Sequence, residues 1–187
     1  MMRLLLSLLL IGLSALLLAF LQSTTPSYAL LTGPIETVGQ QKDTLSSRTF
    51  SIKVDKIIRA RILAFTRYGR PIERQSDGVW VIAGVELQTK RETMTIQAAA
   101  IKGASGRLYR QSHRADGAPR LASTKTLQPG LSSAGIMIFE LPEEDAHDMT
   151  LIVSKQPSPQ LASEIHVKLD QDTVEMRDRA EIGDNGI

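Results

Sequence analysis

From residue 48 onward the apolar positions recur every second residue rather than every 3.6. Phe50, Ile52 and Val54 alternate with Ser51, Lys53 and Asp55, the pattern of a half-buried strand, which continues to Ile57 and Ile58 through a bulge. Residues 79–87 are apolar nearly throughout, as in a central strand, with Val79, Val81, Ala83, Val85 and Leu87 on the better-covered face. Met94 and Ile96 alternate with polar neighbours and lead into residues 98–101. Gly103, Ala104, Ser105 and Gly106 then form a tight turn into Arg107, Leu108 and Tyr109, a hairpin signature. Gln128-Pro129-Gly130 suits a type II turn, with Pro at its second position and Gly at its third. It opens a second apolar strand at 135–141, which Pro142 ends because it has no N–H to donate to a ladder. Residues 149–153 and 165–169 give two more strands. Seven or eight short strands separated by turn residues predict an antiparallel β-sandwich, with a small closed barrel as the architectural alternative. Beyond residue 22 the only helical element expected is a single turn at 143–147.

The N-terminus has a different pattern. Residues 4–21 carry no charge and no polar stripe. As a helix they span about 27 Å, close to the thickness of a bilayer's hydrocarbon core. Met1-Met2-Arg3 is a minimal positive leader, and the single Arg3 favours an N-inside orientation. Ser27-Tyr28-Ala29 places small residues where signal peptidase cuts. Two fates therefore stand: a retained single-pass anchor in the inner membrane with the C-terminal domain in the periplasm, or cleavage after Ala29 and secretion to the periplasm. The expected organisation is a signal anchor or signal peptide at 1–22, a linker at 23–47, the sandwich at 48–170 and an acidic tail at 171–187, its last residues frayed.

Composition narrows the field further. The chain has 187 residues with 42% hydrophobic and 22% charged, which excludes a disordered chain, a coiled coil and a polytopic membrane protein. The absence of Cys removes disulfides, thiolate metal sites, cysteine nucleophiles and a lipoprotein's lipid-acceptor residue. The net charge of +2 gives no strong global field, but the charges are unevenly spread. Arg59, Arg61, Arg67, Arg70 and Arg74 form one basic group, and Arg107, Arg110 and Arg114 flank the predicted hairpin. These eight are the candidate basic surface, which would face anionic lipid headgroups if the two groups converge. Glu140, Glu143, Glu144, Asp145 and Asp148 form an acidic run read as solvated loop acids.

Three ordered stretches carry a resemblance. Ser76-Asp77-Gly78-Val79 opens the long apolar strand. Gly106-Arg107-Leu108-Tyr109 follows a turn. Leu127-Gln128-Pro129-Gly130 is followed by Gly135 and by Ile138-Phe139-Glu140-Leu141-Pro142. Together they resemble the bacterial immunoglobulin-like domain of unknown function often mislabelled as a telomeric repeat-binding factor. The likeness runs from about residue 48 to 155. It implies an exported immunoglobulin-like sandwich, membrane-attached or secreted, and transfers no catalytic residue. The chain departs from the family in lacking a lipoprotein Cys, and in carrying Leu87-Gln88-Thr89-Lys90 where members often place Asn.

No constellation in the sequence carries chemistry. His113, His147 and His166 are scattered without metal-ligand spacing, and His166, alternating with Ile165 and Val167, is expected on a strand's exposed face. Met94, Met137 and Met149 are core filler rather than copper ligands. Neither a phosphate loop nor a nucleophile elbow is present, and no helix-turn-helix or zinc motif suggests nucleic acid. Trp80, the sole Trp, is expected in the core or between the sheets. No catalytic residue, cofactor or metal is expected. The expected partners are the membrane, through residues 4–21, an envelope protein and anionic lipid. Two functions remain: a non-enzymatic, membrane-tethered interaction module of the cell envelope, or a periplasmic ligand-binding subunit or enzyme whose site forms only on folding. A pocket lined by Tyr68, Arg70 and Arg74 near Arg107 and Arg110 would favour the second.

Overall fold

The computed structural model describes residues 2–25 and 31–183. The chain divides into two compact units, residues 1–33 and Pro34–Ile187. The first contains α1 (Met2–Thr24), whose side chains are all exposed. Its 23 residues and apolar composition are sufficient to cross a membrane. The Ser27-Tyr28-Ala29 cleavage signal lies outside the described residues, as does the tail at 184–187.

The second unit is a sandwich of two sheets. One has the order β1 (Ile35–Gln40), β9 (Ser163–Lys168), β8 (Thr150–Ser154), β5 (Ala98–Lys102), β6 (Leu108–Arg110). The other has the order β10 (Val174–Ile182), β3 (Phe50–Arg67), β4 (Arg70–Thr89), β7 (Ser132–Leu141), with the short β2 (Leu45–Ser46) also on β3. The two sheets remain separate, so the architecture is the predicted sandwich and not a closed barrel. Alternate residues of β3, β4 and β7 (Ile52, Val81, Ala83, Phe139) pack against those of β5, β8 and β9 (Ile101, Leu151, Val153, Ile165, Val167). Each fully buried Val, Leu or Ile contributes roughly 1.5–3 kcal/mol, so this inter-sheet layer is the main source of stability.

Several expectations need correction. The sheets are not wholly antiparallel: β1 pairs with β9 and β10 with β3 in parallel. These pairs join the two ends of the domain, where no hairpin forces the chain to reverse. Among the described residues the strands number ten rather than seven or eight, because residues read as linker form β1 and β2 and residues read as acidic tail form β10. Polar composition hid them. On β10 only Ala180 and Ile182 are buried, among exposed acids and bases that suit an edge. Gln41 is also buried, and its side chain accepts from the Asp170 N–H at 3.0 Å, tying the supposed linker to the residue just before the supposed tail.

β3 and β4 are longer than expected, and they meet in a two-residue turn at Tyr68 and Gly69. Both residues have positive φ, the geometry that matches the twist of a hairpin. Their outer segments, 62–67 and 70–75, form an arm beyond the reach of β7. Between arm and body, residues 76–79 of β4 bulge opposite Arg61. Gly78 sits in that bulge because a Cβ there would collide with the Leu141 backbone carbonyl. Its role is thus close approach. Gly130 has φ +77°, and the Leu131 N–H donates to Gln128 O at 3.2 Å, as the type II turn requires.

Between β6 and β7, residues 111–121 cross the outer face of the β3–β4–β7 sheet and bury a second apolar cluster, while Ala122 and Leu127 return to the layer between the sheets. Ala115, Ala118 and Leu121 cover Ile58, Leu63, Phe65, Trp80, Ile82, Ile136 and Ile138. Trp80 is therefore in the core as expected, but beneath this crossing segment rather than between the sheets. Its indole N–H donates to the Arg74 carbonyl at 2.9 Å.

Candidate functional site

The crossing segment leaves a groove where it meets the β3–β4 arm. Phe65 and Ile72, cross-strand partners in the arm, form its apolar floor. Arg67 and Arg74 rise from the same two strands, and His113, Arg114 and Asp116 come from the crossing segment. The cavity is about 380 Å³, large enough for a small ligand or a lipid headgroup. Alternation explains the layout. Positions 65 and 67, and 72 and 74, point to one face of the pleat, so each strand offers one apolar and one cationic side chain to the groove.

The cations of the groove are not equivalent. Arg114 is held in place: it forms an ion pair with Glu140, donates to the Gln75 carbonyl at 2.7 Å and lies 5.3 Å from the Trp80 ring centroid. It anchors the crossing segment to β4 and β7. His113 pairs with Asp116 at 3.2 Å, and both are exposed. Arg67 lies over the Tyr68 ring at 5.3 Å, and Gly117, at φ +88°, passes so close that a Cβ would strike the Arg67 side chain. Neither Arg67 nor Arg74 has a carboxylate partner among the described residues. Two guanidinium groups over an apolar floor suit an anion that carries an apolar body.

The candidate basic surface thus divides. Arg67, Arg74 and Arg114 converge. Arg59 and Arg61 are drawn to Glu143, at 3.9 and 2.6 Å, and line a shallower hollow of about 220 Å³ with Met176, Arg177 and Asp178. Arg107 precedes β6 and Arg110 lies on it, in the other sheet, while Arg70 flanks the arm's turn. Tyr68 is 91% exposed and, like Arg70, Arg107 and Arg110, lies outside the groove; of the residues whose pocket would favour a ligand-binding subunit only Arg74 lines it, joined by Arg67, Arg114 and His113. The sequence signal that would have located the groove is the doubled apolar-x-Arg pattern flanking Tyr68-Gly69.

Two further clusters were not visible in the sequence. Asp145 is buried rather than solvated. It accepts from the Ser105 N–H at 2.9 Å, the Ser105 hydroxyl at 2.7 Å and the Tyr109 hydroxyl. The Tyr109 and Ser105 hydrogen bonds hold its carboxyl below the usual Asp range, and the Asp145 bond raises the Tyr109 hydroxyl. With all its donors supplied internally, this cluster fixes a turn rather than offering a site. On the outer face of the other sheet, Glu36, Glu164 and His166 lie with their ligand atoms within 4.8 Å of one another. His166 lies on the outer face of its strand, as expected, but is half-buried there. The third member comes from β1, so sequence spacing could not reveal the group.

No protein-family model matches the chain, and no curated protein matches it. Solved structures do. The yjhA protein of Bacillus subtilis is 16% identical with a TM-score of 0.52, over 70% of this chain and 99% of that one. The secreted protein MPT63 of Mycobacterium tuberculosis is 16% identical with a TM-score of 0.52, over 72% and 97%. An uncharacterized β-sandwich protein of Clostridium difficile 630 is 11% identical with a TM-score of 0.48, over 77% and 99%. At these identities the likeness carries the fold alone: a β-sandwich of the kind the immunoglobulin-like resemblance implies, with nothing that bears on a telomeric-repeat label.

Proposed function

We propose that this protein is a non-enzymatic, membrane-tethered interaction module of the cell envelope, whose sandwich holds the anionic headgroup of a lipid in the Arg67–Arg74 groove. The observation that carries the reading is the pair of guanidinium groups without carboxylate partners above Phe65 and Ile72. A guanidinium left without a counter-ion in a concave site favours phosphate, which it can bind in bidentate fashion. The apolar helix supports the tether. It keeps the domain near a surface whose anionic lipids attract each Arg by roughly 1 kcal/mol.

The domain from Pro34 carries every buried residue of the described structure, so it is tested without the helix. It is mixed with vesicles of phosphatidylcholine alone and with vesicles containing phosphatidylglycerol. Sedimentation that requires the anionic lipid, weakens with salt and is lost in an Arg67→Glu, Arg74→Glu double variant supports the proposal. Equal binding to both vesicle types, or none at low salt, overturns it.

A further inference from the structure

We propose that Glu36, Glu164 and His166 form a binding site for a divalent transition-metal ion, zinc by donor type, that fastens the edge strand β1 to β9. The parallel register pairs Glu36 with Glu164 and Val38 with His166. Glu164 and His166 are two apart on β9, so the pleat turns both to the outer face, where Glu36 joins them from the neighbouring strand. The donor atoms then lie within 4.8 Å of one another, and Nε2 of His166 is 2.7 Å from Oε1 of Glu164. One imidazole nitrogen and two carboxylate oxygens suit zinc, which takes such ligands at about 2.0–2.2 Å and leaves a fourth position for water or a partner's ligand. The imidazole disfavours calcium and magnesium, which take oxygen.

Electrostatics supply a second, independent reason. Two carboxylates side by side on paired strands repel each other. On the other sheet Glu175 is matched with Lys56 and Arg177, and Glu73 with Arg179. Here the base beside Glu164 is His166 itself, at 2.7 Å, and among the described residues no Lys or Arg pairs with Glu36 or Glu164. Lys168 lies two residues beyond His166 on the same face and pairs with neither. His166 is flanked across its strand pairs by Val38 and Ile152, so its neighbours there offer no charge. Side chains of Glu164 and His166 are only 14% and 19% exposed, which limits screening by water. A bound cation removes the repulsion and joins β1 to a strand that is otherwise held to it only by backbone hydrogen bonds and a few side chains.

The full chain in lipid nanodiscs, treated with chelator and then freed of it, is titrated with zinc against a chromophoric competitor. The expected result is one saturable equivalent. Glu36→Gln, Glu164→Gln and His166→Ala should each weaken it by more than about tenfold, a loss seen even for outer-shell partners of metal sites. His113→Ala and His147→Ala should leave it unchanged. Glu36 is exposed, so its Gln variant keeps the fold, and circular dichroism verifies this. Zinc should also slow amide exchange across β1 in the native chain but not in Glu36→Gln. Absence of a saturable equivalent, or binding that survives all three substitutions, overturns the site.

Discussion

Tyr109 donates its hydroxyl to the carboxylate of Asp145, joining the β5–β6 hairpin to the turn that follows β7. Ser105, from the hairpin's own turn, gives the same carboxylate two more hydrogen bonds. The hairpin belongs to one sheet and β7 to the other, so this buried acid links the two layers at one end of the sandwich. Gly103 is required beside it, since a Cβ there would press on the Asp145 backbone carbonyl at 2.7 Å.

That link predicts a pH signature. The folded-state pKa of Asp145 is lowered, chiefly by Tyr109 and then by Ser105. Its stabilisation is therefore present above the unfolded carboxylate value of about 3.9 and is lost as pH falls through the lower folded value. Tyr109→Phe should lower the melting temperature at neutral pH. The gap from the native chain should narrow on acidification below about pH 3.9. Thermal melts across the acid range measure this, and a gap independent of pH would contradict the assignment.

The glycines give a ranking. Gly130→Ala meets open space but must hold φ near +77°, a strain of roughly 1–2 kcal/mol. Gly78→Ala forces a methyl group into the Leu141 carbonyl and Pro142, where backbone on both sides must move. Its cost should exceed that of Gly130→Ala and reach about 3 kcal/mol, the upper end for overpacking. Urea unfolding of both variants checks the order.

The strands that the sequence revealed are those with an uninterrupted apolar alternation. Val81, Ile138 and Ile165 stand in such runs and are buried as expected. β10 was hidden because a strand at a charged edge needs few apolar residues, and β1 because its partner β9 is distant in sequence. The groove was hidden for another reason. Its arginines stood in two sequence groups, Arg67 and Arg74 in one and Arg114 in the other, and which of them would meet depended on Tyr68-Gly69 closing a hairpin and on the segment after β6 crossing the sheet. Glu143 then neutralises Arg61, and no local pattern announces a partner that distant.

Residues read as a tail should prove essential. Ala180 and Ile182 of β10 are buried in the cluster beneath the crossing segment, and Glu175 bridges β10 to Lys56 of β3. The Arg177 and Lys56 hydrogen bonds lower the Glu175 pKa to about 2. Ile182→Ala should destabilise the domain by about 2–4 kcal/mol, while Asp178→Ala, on the exposed side, should stay within about 0.5 kcal/mol. A shift of the urea midpoint at constant slope measures both. Equal effects would mean that β10 does not dock.

The fate of the helix can be decided by topology and mass together. Arg3 lies just before the apolar stretch, and a basic residue there favours an N-inside orientation. A reporter active only in the periplasm, fused after Ile187, should therefore be active, and a cytoplasm-only reporter should be silent. This result is common to a retained anchor and to a cleaved signal. The two differ in the mature chain. A retained α1 leaves the protein in the membrane fraction with its first residues intact, resistant to extraction by salt or carbonate, because 23 apolar-rich residues cannot leave the bilayer without exposing their side chains to water. Cleavage after Ala29 gives a soluble chain that begins at Leu30, which intact-mass measurement of the purified protein reads directly. Retention would tether the domain to the membrane and supports the tethered reading. A soluble product would leave the same groove facing a diffusible anion instead. An active cytoplasmic reporter would overturn both fates.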